Sequence, residues 1–450
     1  MCGCTTAPGW NGHDIRVVRM EGDPLTTHID PRDVQSPLRA VACSLGYTEK
    51  VKVRQQIWVG LLATAVAAAI LWLANRLDGQ TALFWVAGLA FGFVLQRSRF
   101  CFASAFRDIF LLRHGRNMKG VLVGLAVATF GFAVVMNQQV PNASLGVLPL
   151  EANVLPLGWH VVLGGLLFGA GMVVAGGCVS GSIYRMGEGY IASWVSFAGI
   201  LGGLLVAGYT WNWWWQVQIG HGPRLWLPSA LGYGGAVIAT VLGLVAVYVL
   251  VLWWESRGGL VMPDLPFQAG DEETFASKLD NTLRRVFVHG WSATVGGAVL
   301  GGLNVLLFTA AHPWGFTGEL SRWAIGFSNW LGVGPGQLLG ADKLPGCALE
   351  VGGGGILNHM FFLVWGMVFG AFIGALFAGE FKIRLPRQKT RYVQSLGGGL
   401  AMGYGAGIAM GCTIGAFFSA IPSLALNGWV FALFLAVGAW IGTHIIQRIA

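Results

Sequence analysis

The chain has 450 residues, 55% of them hydrophobic and only 11% charged, with a formal net charge of +8. A soluble domain carries roughly a quarter charged residues, so an ordinary soluble fold is excluded, and the mean hydropathy of +0.63 agrees. The positive balance calls for no nucleic-acid partner, because basic loops that fix topology beside membrane lipid account for it.

In chain order, residues 1–55 read as a polar tail. They lack the basic start followed by an apolar core that marks a signal peptide. Cys2, Cys4 and Cys43 fall in this tail, and Cys2-Gly-Cys4 is too tight to make a metal site by itself. Apolar spans follow near 57–75, 82–97, 120–137, 159–176, 190–209, 228–253, 287–311, 357–379, 395–411 and 427–446. A run of about 18 or more apolar residues crosses a bilayer as a helix. The expectation is therefore an all-α polytopic membrane protein, with a first transmembrane half over 56–253 and a second over 286–450. A linker of mixed charge, 254–285, joins them. The 69 glycines suit closely packed or broken helices, and the 20 tryptophans suit membrane interfaces. Lys50, Lys52, Arg54 and the basic loops 107–119 and 380–391 belong in the cytoplasm by the positive-inside rule, and 138–158, without Lys or Arg, faces out. Ten spans from a cytoplasmic N-terminus satisfy these placements and put the C-terminus inside too.

One segment recurs. GGLLFGAGMVVAGGCVSG (164–181) aligns without gaps to GGLAMGYGAGIAMGCTIG (398–415), with nine identities that include Gly177/Gly411, Cys178/Cys412 and Gly181/Gly415. The copies lie on the fourth and ninth spans, which cross in opposite directions, so the expectation is an inverted repeat with its site where the halves meet. A weaker match sets CFASAFRD (101–108) against GFTGELSRW (315–323), with Gly315 opposite Cys101.

Gly165–Gly169 and Gly399–Gly403 are small-xxx-small packing pairs, and free cysteine packs as a small hydrophobe. Packing does not explain two cysteines at equivalent span ends. Glycines around Cys178 and Cys412 suggest broken helices, whose freed N–H groups attract anions. Cys101 stands among Arg97, Arg99 and Arg107, which read either as a basic helix end or as an electropositive vestibule for an anion. Arg185 and Glu188 follow Cys178 closely. Cys347, beside Pro345 and a four-glycine run, has no repeat partner, and Glu350, Asn358 and His359 near the eighth span are polar enough to notice. GxxxxGK[ST], HExxH and CxxC motifs are all missing, so no catalytic group, resident metal or cofactor is expected.

The stretches QRSRFCFASAFRD (96–108), GGLLFGAGMVVAGGCVSGSIYRMGEG (164–189), TGELSRW (317–323) and MGYGAGIAMGCTIGAFFSAIP (402–422) resemble the YeeE/YedE family of membrane proteins, above all its YedE-like members. The resemblance implies an hourglass-like helical protein of the bacterial inner membrane. It implies transport of thiosulfate or a related small sulfur or selenium anion past neutral thiols on the central axis. The matching thiols are Cys101, Cys178 and Cys412; Cys347 and the tail thiols fall outside the shared pattern. The resemblance also implies a TusA-like sulfur-carrier partner, whose Cys-Pro-x-Pro signature this chain lacks. Two other readings stay open at this point: a membrane sulfurtransferase using a cysteine persulfide, and a soft metal site made by the three thiols.

Overall fold

The computed structural model describes residues 55–149, 151–257, 286–288, 290–344 and 357–449, all within one unit, Val53–Ala450. The tail thiols, nearly all of the 254–285 linker, Cys347 and Glu350 lie outside the described residues. The helices are α1 (Gln55–Leu77), α2 (Gly79–Ser98), α3 (Phe102–Leu112), α4 (Arg116–Gln139), α5 (Trp159–Ala175), α6 (Val179–Gly187), α7 (Ile191–Val217) and α8 (Leu227–Glu255). After the linker come α9 (Ala293–Ala310), α10 (Thr317–Trp330), α11 (His359–Phe377), α12 (Thr390–Ile408), a π-turn (Thr413–Ser419) and α13 (Leu426–Ile449). No strand occurs among the described residues, only two isolated bridges.

Nine helical stretches here are long and apolar enough to cross a membrane. A tenth is made by α12 with the π-turn, bent by 50°. All ten spans read from the sequence fall on these elements. The chain is an all-α polytopic membrane protein.

Backbone-to-backbone packing explains the glycine content. A Cβ on Gly92 would strike the Met367 carbonyl oxygen. Cβ atoms on Gly203 and Gly403 would strike the carbonyls of Leu400 and Ile200, and Cβ atoms on Gly169 and Gly438 those of Leu435 and Leu166. Such positions admit no side chain, and the close approach supplies the van der Waals contact that holds helices together in lipid, where no hydrophobic force separates helix from solvent. The pairings exchange between halves: α2 packs on α11 and α9 on α4, while α5 packs on α13 and α12 on α7.

Direction follows from register. On α7 and α12, Ser196 meets Gly399 and Ile200 meets Gly403, so these two run parallel. On α5 and α12, Gly164 faces the Gly405 carbonyl and Gly171 faces the Gly398 carbonyl. Numbers rise on one helix as they fall on the other, so α5 and α12, which carry the two copies of the repeated segment, run antiparallel.

Candidate functional site: three helix breaks capped by cysteine

Cys101, Cys178 and Cys412 occupy the same local structure. Each sits in extended conformation immediately before a short helical segment, with φ/ψ of −146°/122°, −81°/−177° and −88°/−170°. Two residues earlier the backbone is left-handed in all three: Arg99 at φ 49°, Gly176 at 80° and Met410 at 58°. The incoming helices close accordingly. Phe100 N donates to Leu95 O at 3.1 Å and Gly411 N to Ala406 O at 2.9 Å, the six-to-one bond of a left-handed C-cap. Gly176 adopts this conformation freely. Arg99 and Met410 hold it at ~1–2 kcal/mol each, so tertiary packing must sustain those turns.

All three thiols are free and buried, with relative exposures of 2%, 0% and 0%. Cys178 Sγ accepts from Gly181 N at 3.3 Å and touches Ser180 Oγ at 3.3 Å. Cys412 Sγ accepts from Ile414 N at 3.4 Å. The helix N–H groups thus bind a sulfur lone pair, which leaves the S–H as a weak donor for something else. Cys101 and Cys178 converge: a Cβ built on Gly181 lies 3.1 Å from one Sγ and 3.3 Å from the other. Cys412 stands apart on the second half's break, where its N–H donates to Thr317 Oγ1 at 3.0 Å. In each half the start of a short helix (α3 or α10) therefore reaches the repeated cysteine turn. It presents a thiol, Cys101, in the first half and a hydroxyl, Thr317, in the second. The aromatic rings of Phe102 and Phe106 lie against Phe417, at 6.3 and 5.9 Å, and so link the Cys101 break to the Cys412 break.

The glycines have separate duties. Gly177 lies beside Arg185, whose Nη1 would be 3.3 Å from a Cβ there. Gly411 folds against Ala416, with 2.9 Å between an added Cβ and the alanine's own. The Gly415 carbonyl accepts from Asn153 Nδ2 at 3.2 Å.

The arginines are placed differently from the vestibule reading. Arg97, only 1% exposed, donates to Glu380 at 3.0 Å, to Gln96 and to the Phe287 and Val288 carbonyls. Arg99 is 74% exposed and pairs with the same Glu380 at 2.8 Å. Arg107 pairs with Asp108 at 2.8 Å. Arg97 and Arg99 share one carboxylate from beyond α11, which leaves the pair one net positive charge, and a chain neighbour pairs with Arg107, so the cluster ties the end of α2 to the segment after α11. Arg185 instead lines a cavity with Gly176 and Gly177, next to Cys178.

Several residues here were not singled out from the sequence. Asn153 and Asn304 are fully buried; Asn304 donates to Ser419 Oγ at 3.1 Å and accepts from Trp314 N at 2.7 Å, tying α9 to the π-turn. A polar side chain inside an apolar span is costly unless it has such work, and Asn304 in the run GGLNVLLFT carried that signal. Glu319, 1% exposed, pairs with Arg322 at 2.7 Å and accepts from Asn358 Nδ2 at 2.9 Å, which places Asn358 as a tie between α10 and α11. His359 packs edge-on against Phe84. Among the described residues, no three His, Cys, Asp or Glu side chains stand together in an arrangement that could hold a metal ion.

The profile of a family described as Sulphur transport matches residues 97–441, most of the chain and all three breaks. The chain is 32% identical over 378 residues to a protein of Spirochaeta thermophila named thiosulfate transporter TsuA, covering 81% of this chain and 98% of that protein. It is 29% identical over 374 residues to the Escherichia coli protein of the same name, covering 80% and 93%. To Escherichia coli YedE, named a probable transporter, it is 34% identical over 172 residues, or 38% and 40% of the two chains. With most of its length matched by that profile, this membrane protein belongs to the sulphur transport family.

Proposed function

We propose that the chain carries thiosulfate or a closely related small sulfur anion, with selenium analogues as candidates, across the membrane along Cys412, Cys101 and Cys178. The observation that carries this reading is the threefold recurrence of one turn. A buried free cysteine stands at the N-cap of a restarted helix each time, its sulfur accepting a helix N–H at Cys178 and Cys412, and two of the three thiols face one glycine. Relatives named thiosulfate transporters, aligned over nearly their whole length, supply the cargo.

The chemistry suits conduction. A dianion leaving water needs donors, but donors weak enough to release it. A neutral thiol is such a donor, whereas a thiolate would repel the cargo. The glycines Gly177, Gly181, Gly411 and Gly415 keep the turns narrow and side-chain-free beside the sulfur. The halves form an inverted repeat on this reading, which the antiparallel α5 and α12 and the exchanged pairings support. The positive-inside rule then puts the loop 380–391, and both termini, in the cytoplasm. A TusA-like carrier fits as the cytoplasmic acceptor of the sulfur.

Uptake of radiolabelled thiosulfate into cells expressing Cys101→Ala, Cys178→Ala or Cys412→Ala tests the reading. Each variant is expected to lose most of the uptake at unchanged membrane abundance. Wild-type uptake by all three variants sinks the thiol path.

A further inference from the structure

Beside the Cys178 break lies a cavity of about 290 Å³, between the turn after α5, the start of α7 and the 380–391 loop. Gly177, the residue before Cys178, forms part of its wall, so the cavity begins where the thiols end. Ser193 and Ser196 line one side. Three guanidinium groups, Arg185, Arg384 and Arg391, line the rest.

These arginines differ from four cations of the same membrane face that pair with carboxylates. Arg97 and Arg99 share the Glu380 carboxylate, Arg107 pairs with Asp108 and Lys119 with Glu255. Arg185, Arg384 and Arg391 are anchored by neutral groups. Arg185 Nη1 donates to Gly176 O at 2.7 Å. Arg384 donates to Glu188 O at 3.2 Å and Glu380 O at 2.9 Å, and its guanidinium lies 4.5 Å over the Tyr190 ring. Arg391 donates to Gln394 Oε1 at 3.1 Å, and its Nη2 stands 2.9 Å from where a Gly176 Cβ would be. Among the described residues, no carboxylate comes within ion-pair distance of any of the three. Carbonyl anchors fix a guanidinium's direction while leaving its charge and most of its five N–H donors unused. The Glu188 carboxylate lies near enough to act on Arg185 and Arg384 without pairing with either, so three guanidinium groups around one cavity face a single nearby carboxylate, and an added anion relieves their remaining repulsion.

We propose that this cavity is an oxyanion-binding station, taking a divalent sulfur oxyanion such as thiosulfate or sulfate after it passes Cys178. The station deepens the transport reading and rests on it for its place in the path. Charge-assisted N–H···O bonds from Arg185, Arg384 and Arg391 would hold the oxygens, and the serine hydroxyls would add neutral donors. Such a station lowers the energy of the anion on the side it must reach, and the opening beside the 380–391 loop lets it leave.

Equilibrium binding of radiolabelled thiosulfate to the purified full chain in detergent tests this, with unlabelled sulfate as competitor. Arg391→Gln is the primary variant, because Arg391 holds only Gln394 in place; Arg185→Gln and Ser193→Val are the others. Arg391→Gln and Arg185→Gln are expected to weaken Kd about tenfold, or ~1.4 kcal/mol, and sulfate to compete. Cys178→Ala is expected to lose uptake yet keep the wild-type Kd. Should Arg185→Gln fail to give a normal thermal transition, Arg391→Gln and Ser193→Val decide. Wild-type affinity in folded Arg391→Gln and Ser193→Val overturns the station. That result leaves the thiol path standing if uptake still depends on the cysteines. Uptake indifferent to all three cysteines, with Kd still sensitive to arginine, overturns the path and retains the site.

Discussion

At the scale of the residue, the cysteine turns are defined by what surrounds the sulfur. Cys178 and Cys101 share the space above Gly181, and a methyl group there would press on both atoms at 3.3 and 3.1 Å, tighter than ordinary contact. Gly181→Ala is therefore expected to slow thiosulfate uptake about tenfold, which requires only ~1.4 kcal/mol of added barrier. Gly302→Ala, where nothing lies within 4 Å of the new methyl, serves as the control. Uptake by Gly181→Ala equal to that of the control would remove the two sulfurs from the path. The repeated pair Cys178/Cys412 was legible as a repeat, because identical residues in identical spacing need no fold to be noticed. The third member, Cys101, was legible as a cysteine among arginines and through the family resemblance, without a cysteine as its repeat partner. Its turn matches the others through backbone angles, with Arg99 left-handed where the sequence offers no glycine. Thr317, which occupies the corresponding place against Cys412, lay inside the quoted segment TGELSRW but had no role of its own until its hydroxyl met the Cys412 N–H.

At the scale of the element, glycine decides how near two helices come. Gly403 on α12 and Gly203 on α7 each lie against a carbonyl of the other helix, with no room for a side chain. Gly403→Val is expected to separate α7 from α12 and lower the melting temperature in detergent by several degrees, because overpacking costs ~1–3 kcal/mol. Gly397→Ala on the same helix, with open space around it, should change little. Equal melting temperatures for the two variants would contradict this account of the packing. The spans themselves were legible from apolar length. Where they continue was not: α2 leads on into α3 and α5 into α6 past their breaks, because the short helices after Cys101 and Cys178 carry polar and small residues that hydropathy reads as loop.

At the scale of the whole molecule, one membrane face gathers the loop 380–391, the end of α2 and the start of α4. Gln56 at the start of α1 donates to Phe381 O, so the chain enters the membrane from that face. α13 runs parallel to α5, as Gly165 near Phe431 and Gly169 near Leu435 require, and so ends on the same face. A green fluorescent protein fused after Ala450 is expected to fluoresce, and alkaline phosphatase fused there to be inactive, if that face is cytoplasmic. The opposite pair of results would invert the orientation and the proposed direction of flow. The sequence by itself determined the membrane class, the positions of the apolar spans and the repeated cysteine segment. All three are written in local composition and spacing, which lipid thickness and helix period translate directly. Only the tertiary structure decided which charges are free. Arg97 and Arg99 meet, and share, one carboxylate more than 280 positions away. Arg185 meets Arg384 and Arg391 across one cavity, with no carboxylate among the described residues inside ion-pair distance. Pairing over those distances depends on which helices lie side by side, and that is settled by glycine-to-backbone contacts between halves rather than by any pattern along the chain.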